Sequence, residues 1–142
     1  MRGVIFGLDV TSSWGNGHAT TFRSLCRALG RRGHSLVFYE RDALWYRDNR
    51  DLPHPEFCEL RLYDDWKRAL PQVRRDLRAA AVAVVGSSFP AGIAAAEEVF
   101  PARAPLQTSH DIDTPLTIAA VPPLGKTESP RAPAAQPCRV SL

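Results

Sequence analysis

The sequence predicts an α/β fold: a doubly wound parallel sheet of about five strands, with helices on both faces. Its short apolar runs are continuous rather than alternating, as expected for strands that are covered on both sides of a parallel sheet. Segments with apolar residues at helical spacing separate these runs along the chain. This alternation indicates right-handed crossovers, and 142 residues are enough for one such domain.

The first strand, the first helix and the second strand have the clearest patterns. Gly3 to Val10 (GVIFGLDV) forms one apolar run and predicts a buried strand. A helix is predicted from about Gly17 to Arg32, because four apolar residues fall on one stripe there. Gly33 stands where a left-handed helix terminator belongs, and residues 35–39 (SLVFY) predict the second strand. The stripe residues are Phe22, Leu25, Cys26 and Leu29.

The middle of the chain predicts a connection, a strand and a helix. Residues 40–56 are polar and aromatic, and we expect a connection with one helical turn. Residues 57–63 (FCELRLY) alternate in hydrophobicity, which is typical of a strand near a sheet edge. Pro71 suits the first position of a helix, with Val73 and Leu77 facing inward.

The remaining elements complete the predicted sheet. In order, these are a strand over 81–85, a helix from Pro90 or Ala91 to about Phe100, a strand over 104–108 and a helix beginning at 115–121. Together the elements predict one Rossmann-like domain over residues 1–121. Residues 122–142 contain five of the chain's 12 prolines and no apolar period, so we expect a disordered tail there.

Composition argues against several classes of protein. There are 18 basic and 15 acidic residues, which give a formal charge of +3. Sixteen of the basic residues are arginines, but they are interleaved with acids, whereas a nucleic-acid groove needs clustered positive charge. The longest apolar run is far shorter than the roughly 18 residues that a membrane helix needs. We therefore expect neither a nucleic-acid partner nor a transmembrane segment.

The cysteines predict neither a zinc site nor a disulfide framework. Cys26, Cys58 and Cys138 are odd in number, widely spaced and without a CxxC pair. Free thiols suit a reducing compartment, so we expect a cytoplasmic protein.

A glycine-rich turn after the first strand is the sharpest candidate for a functional site. Trp14 precedes Gly15, Asn16, Gly17 and His18, which lead directly into the first helix. Two glycines let the backbone approach a ligand closely, and the amides at a helix start can receive a phosphate or a sugar oxygen. We expect His18, at the positive end of the helix, to act as an uncharged imidazole that accepts a proton or donates a hydrogen bond. The alternative is that the glycines only turn the chain and His18 only caps the helix.

Polar residues also follow the other predicted strands. Because ligands of an open parallel sheet bind outside the carboxyl ends of its strands, we expect these residues to collect at one rim. They are Glu40, Arg41 and Asp42 after the second strand, Ser87 after the fourth, and His110, Asp111 and Asp113 after the fifth.

Two rival interpretations concern these same residues. Gly15 and Gly17 partly match a dinucleotide-binding fingerprint in which Glu40 would be the ribose-binding acid, but the first glycine lies too far from the strand. Asp111 and Asp113 form a DxD triplet, which in some sugar-transfer enzymes holds a divalent metal and a nucleotide diphosphate. Asp113 before Thr114 and a proline is also an ordinary helix cap, which would leave Asp111 to face the cleft.

Four segments together carry a family resemblance. Residues 12–42 (SSWGNGHATTFRSLCRALGRRGHSLVFYERD) and 45–52 (WYRDNRDL) resemble the N-terminal domain of GT-B glycosyltransferases of the CgeB-like bacterial group. Residues 82–93 (VAVVGSSFPAGI) and 110–119 (HDIDTPLTIA) occur in the same order in that family. The resemblance covers about residues 3–120, and its first block is the most specific part.

The resemblance implies a fold of two facing Rossmann-like halves, of which this chain supplies the acceptor side. The full enzyme would transfer a sugar from a nucleotide-sugar donor to an acceptor hydroxyl. His18 and Asp111 would be the catalytic candidates. The substrate-binding candidates would be Trp14, Gly15, Asn16, Gly17, Glu40, Arg41, Asp42, Ser87 and Asp113. Such enzymes generally need no bound metal and no cofactor, since helix dipoles and basic side chains stabilise the leaving diphosphate.

The sequence also departs from that family. Family members often have an acid before the fourth strand and an aromatic-Pro-Asp turn after it, where this chain has Ala81 and Phe89-Pro90-Ala91. An aromatic residue commonly stands where this chain has His110. The sequence contains no donor-binding domain, so we expect a truncated glycosyltransferase with little or no turnover. The alternatives are a nucleotide- or NAD(P)-binding module and a non-catalytic remnant.

Overall fold

The computed structural model describes residues 1–15, 17–102 and 106–111, which form one five-stranded sheet and four helices. The elements in chain order are β1 (Arg2–Phe6), α1 (His18–Arg31), β2 (Ser35–Arg41), α2 (Leu44–Arg47), β3 (Glu59–Tyr63), α3 (Trp66–Arg78), β4 (Val82–Gly86), α4 (Gly92–Val99) and β5 (Leu106–His110). The predicted helix at 115–121, the predicted tail at 122–142 and the predicted boundary between them lie outside the described residues.

All strand pairs in the sheet are parallel, and the strand order is β3-β2-β1-β4-β5. The central strand β1 pairs with β2 on one side and with β4 on the other, so that Ile5 lies between Phe38 and Val84. The chain first winds outward from β1 to β3 and then crosses back to β4 and β5. This is the doubly wound, Rossmann-like α/β fold that the sequence predicts, and β3 is the edge strand expected of its alternating pattern.

Helix α1 covers one face of the sheet. Its buried residues Phe22 and Cys26 pack with Ile5, Leu36 and Phe38 from the two neighbouring strands. The helix ends as predicted, because Gly33 has a φ of +77°, a conformation that side-chain-bearing residues rarely adopt.

Helices α3 and α4 cover the opposite face. Val73 and Leu77 of α3 and Ala95 and Val99 of α4 belong to one buried cluster with the alternate residues of the central strands. The Arg74 guanidinium donates two hydrogen bonds of 2.8 and 2.7 Å to the Glu98 carboxylate, which ties the two helices together. Five aromatic side chains pack against one another between these helices and the sheet: Phe6, Tyr39, Tyr63, Trp66 and Phe89.

The first strand is shorter than the sequence predicts. β1 ends at Phe6, and the apolar run continues as a loop because the amides of Val10 and Thr11 bond a side chain rather than a neighbouring strand. Gly7 begins this loop, and a Cβ there would lie 2.3 Å from Cζ of Phe38. The close approach of a ring therefore requires glycine where the strand ends.

The predicted start of the second long helix is also wrong. Helix α3 begins at Trp66, and the Asp65 carboxylate caps it by accepting a 3.1 Å hydrogen bond from the amide of Arg68. Pro71 lies inside the helix on its exposed side, where solvent can satisfy the carbonyl that the missing amide leaves free. The acidic cap, which follows Tyr63 by two residues, outweighs the usual preference of proline for the first turn.

Candidate functional site

The candidate site lies at the carboxyl edge of the sheet, between β1 and β4. The chain leaves β1 toward β2 and leaves β4 toward β5, so the loops that follow these two adjacent strands diverge. Such a switch point opens a crevice in doubly wound sheets. The glycine turn follows β1 and Ser87 follows β4, so both of these predicted site features lie at this edge.

Glycines and one aromatic ring form the floor of this region. A Cβ on Gly86 would lie 3.3 Å from Cζ of Phe22 and 3.2 Å from the carbonyl oxygen of Phe6. A Cβ on Gly7 would lie 3.0 Å from the Phe22 ring. The ring of Phe22, in the second turn of α1, therefore rests directly on the ends of β1 and β4.

His18 is the first residue of α1 and is buried. It lies one helical turn before Phe22, so the two side chains share the stripe of the helix that faces the sheet. The structure thus directs this imidazole toward the carboxyl edge of the sheet rather than into solvent. Burial of His18 in the first turn was not predicted from the sequence, which gave only its position at the helix start.

The imidazole of His110 contacts the Phe22 ring. His110 ends β5, and its ring packs edge-on against Phe22 with a centroid distance of 5.5 Å and an angle of 65°. Its Nε2 atom is buried and has no hydrogen-bond partner within the described part of the chain. The carbonyl of His110 accepts a 2.9 Å hydrogen bond from the amide of Ser87, which joins the loop after β4 to the end of β5.

The glycine turn is open. Gly15 has a φ of +70°, and a Cβ on either Gly15 or Gly17 would meet nothing within 4 Å. Gly17 is the N-cap of α1, and the first turn of the helix contains no acidic residue. Trp14 is 55% exposed beside the turn, and Asn16 lies outside the described residues. The amides at the start of α1 therefore have neither a side-chain cap at Gly17 nor an acidic residue in the first turn to neutralise their partial positive charge.

Glu40, predicted to bind substrate, is engaged in hydrogen bonds within the fold. Its side chain is fully buried, and its carboxylate accepts hydrogen bonds from the amide of Val10 (2.7 Å), the amide of Thr11 (3.0 Å) and the hydroxyl of Thr11. A carboxylate that is committed in this way does not border a pocket and is not exposed to bind a ribose. Glu40 instead holds the loop after β1 in place. The sequence could not indicate this, because the contact joins residues about thirty positions apart.

Two arginines continue this hydrogen-bond network from Thr11 to Asp42. Arg50 donates hydrogen bonds from Nε to the hydroxyl of Thr11 (3.0 Å) and from its terminal nitrogen to Asp42 (2.6 Å), and it lies 4.0 Å from Glu40. Arg47 donates to the same Asp42 carboxylate at 3.1 and 2.6 Å. These guanidinium groups, Arg47 foremost, lower the pKa of Asp42. Asp42, predicted to bind substrate, is thus part of an ion-pair network at the rim.

A second set of hydrogen bonds, called the tip clamp below, joins Asp51 to Ser13 and Arg23 and holds the same loop at Ser13. Asp51 accepts hydrogen bonds from the amide (3.0 Å) and hydroxyl (2.8 Å) of Ser13, and from both terminal nitrogens of Arg23 (2.9 and 2.6 Å). The Arg23 guanidinium, with smaller contributions from Ser13, holds the pKa of Asp51 well below its usual range. Sequence reasoning did not identify these residues, because alternating Arg and Asp were interpreted as a solvated surface. Ser13 and Arg23 lie in the 12–42 segment of the resemblance and Asp51 lies in the 45–52 segment, which was the available signal.

The other predicted residues lie around two cavities at the carboxyl edge. A cavity of about 920 Å³ between β4, α4 and β5 is lined by Ser87, Phe89, Ile93, Thr108 and Asp111 among others, so the structure brings Ser87 and Asp111 together. A smaller cavity of about 390 Å³ lies at the ends of β2 and β3, and it is lined by Arg41, Tyr63, Asp65, Trp66 and Lys67 among others. Asp113 lies outside the described residues.

The described residues contain no group of three or more side chains able to hold a metal ion. In the same residues, no helix has both the length and the apolar character that a membrane span requires. Comparison of the chain with family models, curated proteins and solved structures finds no match. The glycosyltransferase resemblance therefore stays a prediction.

Proposed function

We propose that this chain is the acceptor-side half of a GT-B glycosyltransferase, which in a two-half enzyme transfers a sugar from a nucleotide-sugar donor to an acceptor hydroxyl. The observation that carries the proposal is that the open glycine turn leads into the start of α1 beside the β1–β4 switch point, with His18 buried in the first turn and the His110 ring packed against Phe22. Crevices of this kind bind ligands in doubly wound sheets.

The proposed chemistry divides the work among these groups. The acceptor hydroxyl attacks the anomeric carbon of the donor, the bond to the diphosphate breaks, and the hydroxyl proton must be removed. His18 is the candidate base or sugar ligand, since it is buried in the first turn of α1, directly after the open glycine turn. Partial positive charge at the start of α1 suits an oxygen or phosphate of the substrate. Asp111, at the rim of the 920 Å³ cavity, is the second catalytic candidate.

The burial of Glu40 favours this proposal over the dinucleotide alternative. A ribose-binding acid has to present its carboxylate at the end of β2, whereas Glu40 is 0% exposed and engaged by the loop after β1. The strand-to-helix loop also runs from Gly7 to Gly17, much longer than the tight turn of the dinucleotide fingerprint.

A titration of the chain tests the proposal. Amide NMR shifts are followed while simple glycosides, UDP-, GDP- and dTDP-sugars, and NADPH are added in turn. We expect glycosides to shift the amides of Gly15, Gly17 and His18, and NADPH to shift none of them. Tight NADPH binding would favour the dinucleotide-binding module, and no response to any compound would favour the non-catalytic remnant.

Substitution of His18 separates binding by this residue from general effects. His18→Asn should weaken glycoside binding by about tenfold, which corresponds to the loss of one hydrogen bond to substrate. His54→Asn, at an exposed position in the connection before β3, is the matched control and should bind as the unaltered chain does. Equal binding by both variants, with the fold of each confirmed by circular dichroism, would remove His18 from the site.

Turnover is expected only when a donor-binding half is present. The described residues form one Rossmann-like unit, and the proposed reaction needs a second surface to grip the nucleotide. The chain alone should therefore transfer little or no sugar, even where it binds the acceptor.

A further inference from the structure

Two free thiols from different parts of the chain meet on the α1 face of the sheet. Cys26, in the third turn of α1, is fully buried in the cluster that contains Phe22 and Phe38. Cys58, immediately before β3, packs against the same cluster. Both side chains therefore belong to one packed cluster, where the two thiols interact with each other, and sequence spacing did not indicate this.

Access differs sharply between the two sulfur atoms. Cys26 is 0% exposed, whereas Cys58 is only partly buried and lines two openings of about 690 and 530 Å³. Three arginines, Arg2, Arg27 and Arg31, also line the larger opening. A small oxidant that enters either opening therefore meets Cys58 first.

We propose that Cys26 and Cys58 are a redox-active dithiol, which closes to an intramolecular disulfide when a peroxide reaches Cys58. In the first step the Cys58 sulfur attacks one peroxide oxygen, the O–O bond breaks, and Cys58 becomes a sulfenic acid while water leaves. In the second step the Cys26 sulfur attacks the Cys58 sulfur, and the sulfenic oxygen leaves as a second water. Two thiols are thus oxidised by two electrons, and one peroxide is reduced to two waters.

The contact between the thiols shifts the pKa of each of them in opposite directions. The hydrogen bond from Cys58 lowers the pKa of Cys26, which favours the thiolate that performs the second step. The same contact, together with burial, raises the pKa of Cys58, which slows its attack on peroxide. Sulfenic acid at Cys58 should therefore not accumulate while Cys26 is present.

Closure joins α1 to the start of β3. The bond links two elements that the long connection after β2 otherwise separates, so it restricts the unfolded chain and should raise the melting temperature.

Peptide mapping tests the proposal on the full chain carrying Cys138→Ser, so that only the two thiols remain. The folded protein is treated with hydrogen peroxide, free thiols are blocked with iodoacetamide, and tryptic peptides are analysed without reduction. The expected product joins residues 24–27 (SLCR) to residues 51–61 (DLPHPEFCELR) and disappears on reduction. The same treatment in urea should form this product more slowly, because unfolding separates the thiols.

Single substitutions in that background assign the steps. With Cys26→Ser, Cys58 should stop at the sulfenic acid, which dimedone traps. With Cys58→Ser, the buried Cys26 should stay reduced in the folded chain. The proposal is overturned if the unaltered pair accumulates sulfenic or sulfinic acid at Cys58. It is also overturned if iodoacetamide still alkylates both thiols after a peroxide treatment that oxidises free cysteine. Equally fast cross-linking of the folded and the urea-treated chains would overturn it as well.

Discussion

The two sides of the carboxyl edge are held in different ways. On the β1–β2 side, a buried carboxylate and an array of arginine–aspartate pairs fasten the loop after β1 to residues 42–52. On the β4–β5 side, backbone hydrogen bonds such as that from Ser87 to His110 and the packing of Phe89 hold the loop beside a cavity of about 920 Å³. The β1–β2 side is thus a fixed polar platform, whereas the β4–β5 side is an open, largely apolar recess.

This difference indicates how the site is organised. The glycine turn itself is open, but the segment that leads into it is anchored at two points, at Thr11 by Glu40 and at Ser13 by Asp51. Such second-layer contacts hold a backbone ligand-binding group in one geometry without occupying it. The recess on the β4–β5 side, of about 920 Å³, has no such array of ion pairs among its described lining residues. Substitutions that remove these anchors one at a time test this difference between the two sides of the carboxyl edge.

Loss of Glu40 should have the largest effect. Glu40→Ala removes the acceptor of two backbone amides and one hydroxyl and leaves them buried, so the free energy of unfolding should fall by about 3–5 kcal/mol. Urea denaturation followed by circular dichroism measures this change. Glu56→Ala, at an exposed position, is the control and should change stability by less than about 0.5 kcal/mol. A Glu40 variant as stable as this control would mean that the polar platform does not hold the loop.

The close approach at the end of β1 should have the next largest effect. Gly7→Ala places a Cβ 2.3 Å from Cζ of Phe38, and the forced shift should cost about 1–3 kcal/mol. The matched control is Gly92→Ala at the start of α4, where a Cβ meets nothing within 4 Å and alanine is the better helix former. We expect Gly92→Ala to be neutral or slightly stabilising in the same urea measurement. Equal losses at both positions would contradict the packing argument.

The sequence predicts the elements of this fold better than it predicts the site. Helix α1 with its terminator Gly33, and β3 as an edge strand, follow from local periodicity and backbone preference. The role of Glu40 depends instead on contacts with Val10 and Thr11, which only the folded chain brings near it. Local pattern alone therefore does not indicate that this carboxylate holds the loop after β1.

Helix boundaries show a similar competition between local signals. Pro71 and Asp65 are both typical of helix starts, and the sequence offers no rule that ranks them when they lie six positions apart. The side chain of Asp65 satisfies the amide of Arg68, so the helix begins earlier and includes the proline. The partnership of Arg23 with Asp51 likewise joins residues that are distant along the chain, which local periodicity does not indicate.

The tip clamp should contribute least and should depend on pH. Because the folded-state pKa of Asp51 is depressed, its stabilising effect is complete above the unfolded value of about 3.9 and is lost as the pH falls toward the folded value. Asp51→Asn should therefore cost roughly 0.5–1 kcal/mol at pH 7, since the Asp51 side chain is 48% exposed, and the cost should shrink below about pH 4. Urea titrations of both proteins from pH 7 to pH 3 measure this difference. A difference that stayed constant across that range would show that Asp51 acts through shape and neutral hydrogen bonds, and the platform would then depend on Glu40 and its arginines alone.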